Sequence, residues 1–248
     1  LLSATPDLDP LLAALGQGDR VPVVRSEGRA HPVQEVWLGP PDPRRRLEDA
    51  VARAVGRAVR EVPVGDVLVF LPGWAKIERT RRLLGRLDEV EVVALAGALP
   101  AAEQDRALGP AVEGRRRVVL ATDIAESALT VPGVRVVVDA GLVRRPVHDS
   151  GTGRSRLVTR PASQAAAVQR AGRAGRVAPG AAYRLWDRAE HLRRPAHPAP
   201  EIAAADLTAF ALELAVWGMS PDALALPDAP PAGAWAAAVA LLGVLGAL

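Results

Sequence analysis

Residues 117–138 read RVVLATDIAESALTVPGVRVVV. Arg117–Ala121 and Val134–Val138, each apolar but for one arginine, read as strands, and residues 124–129 between them suit a short helix. Apolar runs without polar alternation belong to strands covered on both faces, which is the signature of a parallel sheet. Outward from this stretch the same alternation repeats. Strands are expected at residues 32–38, at 66–71 (ended by Pro72-Gly73) and at 91–95. Helices are expected at 43–60, opened by proline, and at 74–87 and 101–108. Strands alternating with helices predict an α/β fold, a mainly parallel sheet with helices on both faces. Ahead of it, Val21–Val24 reads as a short strand, and Arg25-Ser26-Glu27-Gly28-Arg29 as a polar hinge between two bodies.

Beyond residue 141 the pattern changes. Val143–Val147 and Ser155–Thr159 flank Gly151-Thr152-Gly153, which predicts an antiparallel, arginine-rich β-hairpin. Ser163 has the chemistry to cap a helix through Gln169, and residues 181–185 read as a further strand. A Pro-rich stretch at 195–200 then precedes two Ala- and Leu-rich helices, 202–217 and 235–248. The second is expected to bury Ala238, Leu241, Leu242, Leu245 and Leu248. From Ala229 to Leu248 there is no charge, yet two prolines and three glycines interrupt the run. A packed helix explains it better than a membrane span.

The 248 residues include no Cys, which excludes a disulfide scaffold, a thiolate metal site and a cysteine nucleophile. It also suits a reducing compartment, and a cytoplasmic location is expected. The four His have no paired spacing of the kind zinc needs. Lys76 is the single lysine among 31 basic residues, so arginine and the scarcity of groups titrating above neutrality inflate the pI, and the formal charge of +3 is the usable number. Its distribution is uneven. Between Gly141 and Arg176 stand eight arginines against one acid, Asp149. Positive charge is thus concentrated in one segment.

Within that segment, residues 169–176 read QRAGRAGR. If the helix begun at Ser163 continues, Gln169, Arg173 and Arg176 share one face, with Gly172 and Gly175 removing bulk beside them. Guanidinium groups on such a face suit polyphosphate, and a Gln can orient a water. The plainer alternative is a solvated or RNA-binding Arg/Gly arm. A second motif, Thr122-Asp123, follows a buried strand at the sheet end where open α/β folds expose hydroxyls and backbone N–H groups to phosphate. The plainer alternative there is a simple helix cap. Trp37, Trp74, Trp186, Trp217 and Trp235 sit mostly at apolar positions and read as core rather than as base-stacking platforms.

In this order Ser3-Ala4-Thr5, Leu68–Lys76 (LVFLPGWAK), Ala121–Thr130 and Gln169–Arg176 resemble motifs III, IV, V and VI of the DEAH-box branch of helicase superfamily 2. The resemblance covers essentially the whole chain. It implies an ATP-dependent RNA helicase with two RecA-like domains followed by a winged helix. Residues 1–30 would hold the tail of the first RecA-like domain and the hinge, 31–196 the second domain, and 197–248 the start of a truncated winged helix. The P-loop and the acidic box would lie upstream, in an N-terminal RecA-like domain of the same protein, together with most ligands of the magnesium that accompanies ATP.

The resemblance further implies that Arg173 and Arg176 are arginine fingers and that Gln169 stands near the attacking water. Thr130 and Leu108 would bind the nucleotide. Thr122 and Asp123, with main-chain groups of Gly97 and Ala98, would touch single-stranded RNA or an RNA duplex, and Ser3 and Thr5 would couple hydrolysis to domain movement. Family members often carry an aromatic ring at the place of Leu108, an acid at that of Pro132 and Asn at that of Asp123. The arginine hairpin resembles the element that guides or separates strands; its alternative is a solvated charged ribbon. Two other functions fit the same motifs, a DNA translocase of the superfamily and a non-catalytic RNA-binding scaffold with a degenerate motor core.

Overall fold

The computed structural model describes residues 8–16, 21–24, 31–85, 90–111, 115–126, 129–149 and 151–248. They contain eight strands: β1 (Val33–Trp37), β2 (Asp66–Phe70), β3 (Val90–Leu95), β4 (Arg116–Ala121), β5 (Val134–Asp139), β6 (Leu142–Asp149), β7 (Arg154–Pro161) and β8 (Gly180–Arg184). The α-helices are α1 (Leu8–Ala14), α2 (Leu47–Glu61), α3 (Trp74–Leu84), α4 (Ala101–Leu108), α5 (Gln164–Gly172), α6 (Arg188–Arg193), α7 (Thr208–Trp217) and α8 (Ala232–Val244). Six strands form one parallel sheet in the order β1-β8-β5-β2-β4-β3, and β6 with β7 forms a separate hairpin.

Alternate residues of each strand supply two cores, as a period of two requires. On one face Val67, Val69, Val118, Leu120, Val136 and Val138 pack with Val51, Val55 and Ala58 of α2 and Ile77 of α3. On the other, Leu68, Phe70, Val119 and Val137 pack with Ala107 of α4 and Ala171 of α5. The apolar strand runs are therefore covered on both sides, and the parallel α/β reading holds.

By contacts the chain divides into two compact units. One comprises residues 27–144 and 159–198 and holds the six-stranded sheet; the other comprises 1–26, 145–158 and 199–248. Within the second, α7 and α8 bury Leu207, Ala211, Ala238 and Leu242 against each other, and the backbone N–H of His148 donates to the Ala204 carbonyl. No described helix is long and apolar enough to cross a membrane.

Several sequence expectations need correction. Residues 21–24 form no strand, and the Val24 side chain is fully open to solvent. Helix α2 begins at Leu47 rather than at Pro43, because Asp42 accepts the Arg44 N–H at 2.9 Å and turns the proline out of the helix. Helix α7 begins only at Thr208, whose N–H donates to Asp206 Oδ1 at 2.9 Å in a local turn, and Ile202 stays in a separate 3₁₀ turn, Glu201–Ala203. Helix α8 buries only Ala238 and Leu242, in a small cluster with Leu207 and Ala211, while Leu241, Leu245 and Leu248 are exposed. Of the tryptophans, Trp186 is core and Trp37 and Trp235 are half-buried, whereas Trp74 and Trp217 are exposed.

The hairpin runs longer than expected, from Leu142 to Pro161. Asp149 closes its turn by accepting the Gly151 N–H at 3.0 Å, and Gly153 takes a positive φ of 63°. Arg144, Arg145, Arg154, Arg156 and Arg160 are all exposed. Arg194 clasps the base of the ribbon. Its Nη1 donates to the carbonyls of Gly141 at 2.7 Å and Ala162 at 3.2 Å, and its guanidinium lies 4.0 Å from the Trp186 ring centroid. Arg194→Ala strips a donor from each of these buried carbonyls, a loss of about 1–3 kcal/mol. We expect a lower melting temperature; a thermal melt unchanged from wild type would contradict this.

Candidate nucleotide and nucleic-acid site

Because β3 and β4 are adjacent and parallel, their C-terminal ends deliver two loops side by side. The Thr122 N–H donates to the Leu95 carbonyl at 3.3 Å, which holds Thr122 and Asp123 beside Ala96, Gly97 and Ala98. Gly97 and Ala98 are exposed, and Thr122 and Asp123 are half-buried. A hydroxyl next to exposed main chain at this edge suits the sugar-phosphate backbone of a nucleic acid, with the Asp123 carboxylate fitted to a hydroxyl rather than a phosphate. A Cβ added to Gly97 would stand at an ordinary 3.7 Å from Ile124, so no side-chain clash requires glycine there.

From Thr122 the chain does not make the expected helix over 124–129. Among the described residues there is one 3₁₀ turn, Asp123–Ala125, and Leu129 and Thr130 belong to no helix or strand. The reason lies just after α5. Arg173 donates through Nε to the Glu126 carbonyl at 3.0 Å and through Nη1 to the Leu129 carbonyl at 2.7 Å, and its Nη2 also bonds the Glu126 carbonyl. Carbonyls held by a guanidinium have no need of helical partners. Arg173 is consequently buried rather than extended into solvent. Burial, and then the neighbouring Arg176, lower its pKa from the usual arginine value.

Arg176 differs. It is exposed, and its Nη1 donates to the Thr130 hydroxyl at 2.8 Å. Helix α5 stops at Gly172, and residues 173–175 form a 3₁₀ turn. Arg173 and Arg176 thus sit three apart, near the three-residue repeat of a 3₁₀ segment, and not on a continued α-helical face. Gln169 lies half-buried in the last turn of α5. The glycines also serve otherwise than expected. Gly172 has open space beside it, whereas a Cβ on Gly175 would stand 2.5 Å from the His31 carbonyl. Gly175 is there for close packing of the chain ahead of β1, and its backbone carbonyl accepts the His31 N–H at 2.8 Å.

Beneath these groups lies a charged cluster that motif reading passed over. Arg170 is buried, with Nε on Glu126 Oε2 and Nη1 on Asp139 Oδ1, both at 2.9 Å, and with its guanidinium 4.9 Å from the Phe70 ring centroid. Burial acts to lower the Arg170 pKa, yet the two carboxylates raise it above the usual arginine value. Glu126 keeps a raised pKa, because its own burial outweighs the pull of Arg170. The signal for this cluster was available in the sequence: Asp139 follows the apolar run Val136–Val138 at the end of a strand covered on both faces, and a charge there has to be paired.

Leu108, at the end of α4, is half-buried and packs on the same core as Leu129. Ser3 and Thr5 lie outside the described residues. Among the described residues no three His, Cys, Asp or Glu side chains stand together as metal ligands. What the site offers chemically is an exposed arginine and threonine hydroxyl at one end and exposed main chain with a hydroxyl at the other, joined by residues 122–130 and braced by Arg170 and Arg173.

Residues 49–178 match the family described as "Helicase conserved C-terminal domain". Along its whole length the chain is 42% identical to the ATP-dependent RNA helicase HrpB of Escherichia coli (strain K12), covering 30% of that protein. It is 36% identical to the probable ATP-dependent RNA helicase DHX35 homolog of Caenorhabditis elegans, with 93% of the chain matched to 32% of that protein. The crystal structure of the E. coli DExH-box NTPase HrpB superimposes with a TM-score of 0.91 over 99% of this chain, at 42% identity, and this chain covers 30% of that one. The chain therefore spans about a third of the length of these relatives.

Proposed function

Since the chain belongs to the helicase conserved C-terminal domain family, we propose that it is the C-terminal motor half of an ATP-dependent RNA helicase of the DEAH-box branch. Residues 31–196 form the second RecA-like domain, 1–30 the end of the first and the hinge, and 197–248 the beginning of a winged helix. The compact unit of residues 27–144 and 159–198 supports this division. Arg176 meets the β- and γ-phosphates of ATP bound by the preceding RecA-like domain. Arg173 completes the finger pair while fixing the loop that carries Thr130. Gln169 orients the attacking water, and Leu108 covers the base. Thr122, Asp123, Gly97 and Ala98 form part of the RNA track, the exposed arginines of β6 and β7 guide the strand, and Ser3 and Thr5 couple hydrolysis to domain movement. Magnesium enters with ATP and is held by the preceding domain. The protein works in the cytoplasm.

The observation that carries this reading is the Arg176 to Thr130 bond, because it sets a non-titrating fork of donors in solvent beside the hydroxyl of the loop whose other end reaches the nucleic-acid edge. The names of the matched relatives, each an ATP-dependent RNA helicase, support the same substrates. No G-x-x-x-x-G-K-[ST] occurs in the 248 residues. The purified chain alone is therefore expected to show no magnesium-dependent ATP hydrolysis; measurable turnover by it would contradict the assignment. In the complete motor, tighter binding to RNA than to DNA of the same sequence distinguishes an RNA helicase from a DNA translocase.

A further inference from the structure

A charge pair stands at the heads of two adjacent central strands. Parallel pairing of Val67 with Val118 sets Asp66 beside Arg117, and both are buried. Asp66 Oδ1 accepts the backbone N–H of Arg117 at 2.9 Å, and Oδ2 accepts Nε at 2.8 Å and Nη2 at 2.7 Å. The rest of the guanidinium is spent on main chain. Nη1 donates to the Gly109 carbonyl at 2.7 Å and lies 3.5 Å from that of Ala107, while Nη2 donates to the Pro132 carbonyl at 3.3 Å. Asp66 grips the same turn from its other side, its backbone N–H donating to the Gly133 carbonyl at 2.8 Å.

An ion pair buried under a sheet is no stronger than a well-packed hydrocarbon would be, because desolvation offsets the attraction. What it supplies instead is direction. One planar fork fixes the carbonyls that bracket Leu108 together with that of Pro132, two segments 23 and more residues apart in sequence. Leu108 has no side-chain hydrogen-bonding group, so any grip it exerts on a flat ring is by contact alone, and contact attraction fades within an ångström of misplacement. We infer that Arg117, with Asp66, is a positioning residue for the nucleotide base, tying the carbonyls that bracket Leu108 to the Pro132–Gly133 turn. The inference rests on the proposed function above, in which Leu108 covers the base.

The experiment is steady-state kinetics of the complete RNA-stimulated motor with ATP and with ribose 5′-triphosphate, which has no base. Leu108→Ala tests the underlying reading and should raise KM for ATP about tenfold, the equivalent of one lost apolar contact. If it does not, Leu108 does not face the base and the inference falls with that reading. Arg117→Lys keeps the charge and loses the fork. It should raise KM for ATP about tenfold with kcat changed less than about twofold, and should leave KM for the base-free triphosphate at the wild-type value. An unchanged KM for ATP in Arg117→Lys, with Leu108→Ala affected, overturns the inference. So does an equal loss toward both substrates, which marks a role in folding only. Should Arg117→Lys not fold, the doubly neutral Asp66→Asn/Arg117→Gln variant is measured against the same outcomes.

Discussion

In the complete motor, Arg176→Ala is expected to lower RNA-stimulated ATP turnover by about 10³-fold or more, while RNA affinity and melting temperature stay at wild-type values. The separation follows from exposure. The Arg176 side chain lies in solvent and spends one described bond on the Thr130 hydroxyl, so its removal leaves no buried group unsatisfied. Arg173→Ala should cost turnover on a similar scale but with a signature of its own. It strips donors from the carbonyls of Glu126 and Leu129, each loss being about 1–3 kcal/mol, so the melting temperature falls as well. Paired turnover and melting measurements check both. Near wild-type turnover in Arg176→Ala would sink the finger assignment.

The largest effect on stability is expected from Arg170→Ala. Its removal leaves the carboxylates of Glu126 and Asp139 under the α5 face without their shared cation. Breaking one side of such a buried cluster costs about 3–5 kcal/mol. The loss should depend on pH in a stated direction. Glu126 already has its folded-state pKa raised by burial, so it binds a proton more tightly folded than unfolded. A raised pKa contributes stability that is complete below the unfolded value near 4.5 and is lost as pH rises through the folded value. Without Arg170 the folded value rises further. The deficit of Arg170→Ala relative to wild type should therefore shrink as pH falls from 7 toward 4.5, measured as the difference between denaturant midpoints. A deficit independent of pH would place the cost in lost packing against Phe70 instead.

Much of this molecule was legible in its residue pattern. The runs Val67–Leu71, Val118–Ala121 and Val136–Val138 announce doubly covered strands, and α4 occupies residues 101–108 as its periodicity says. The short apolar run at Val21–Val24 carries the same local signal and forms no strand. Local pattern reports what a segment could pair with, not whether a partner strand is there. The end of the helix before Arg173 was likewise hidden, since Ala and Arg favour continuation. The carbonyls that hold Arg173 come from residues more than 40 positions earlier in the chain.

The sequence by itself determined the α/β class, the mainly parallel covered sheet, the hairpin and the set of residues with phosphate-binding chemistry, because those follow from apolar periodicity and from side-chain chemistry acting over a few neighbours. Only the tertiary structure decided which arginine does what. Arg170, Arg173 and Arg176 are the same side chain at three-residue spacing. Their roles diverge because one meets two carboxylates, one meets two carbonyls and one meets water, and a group's solvation is fixed by residues distant in sequence.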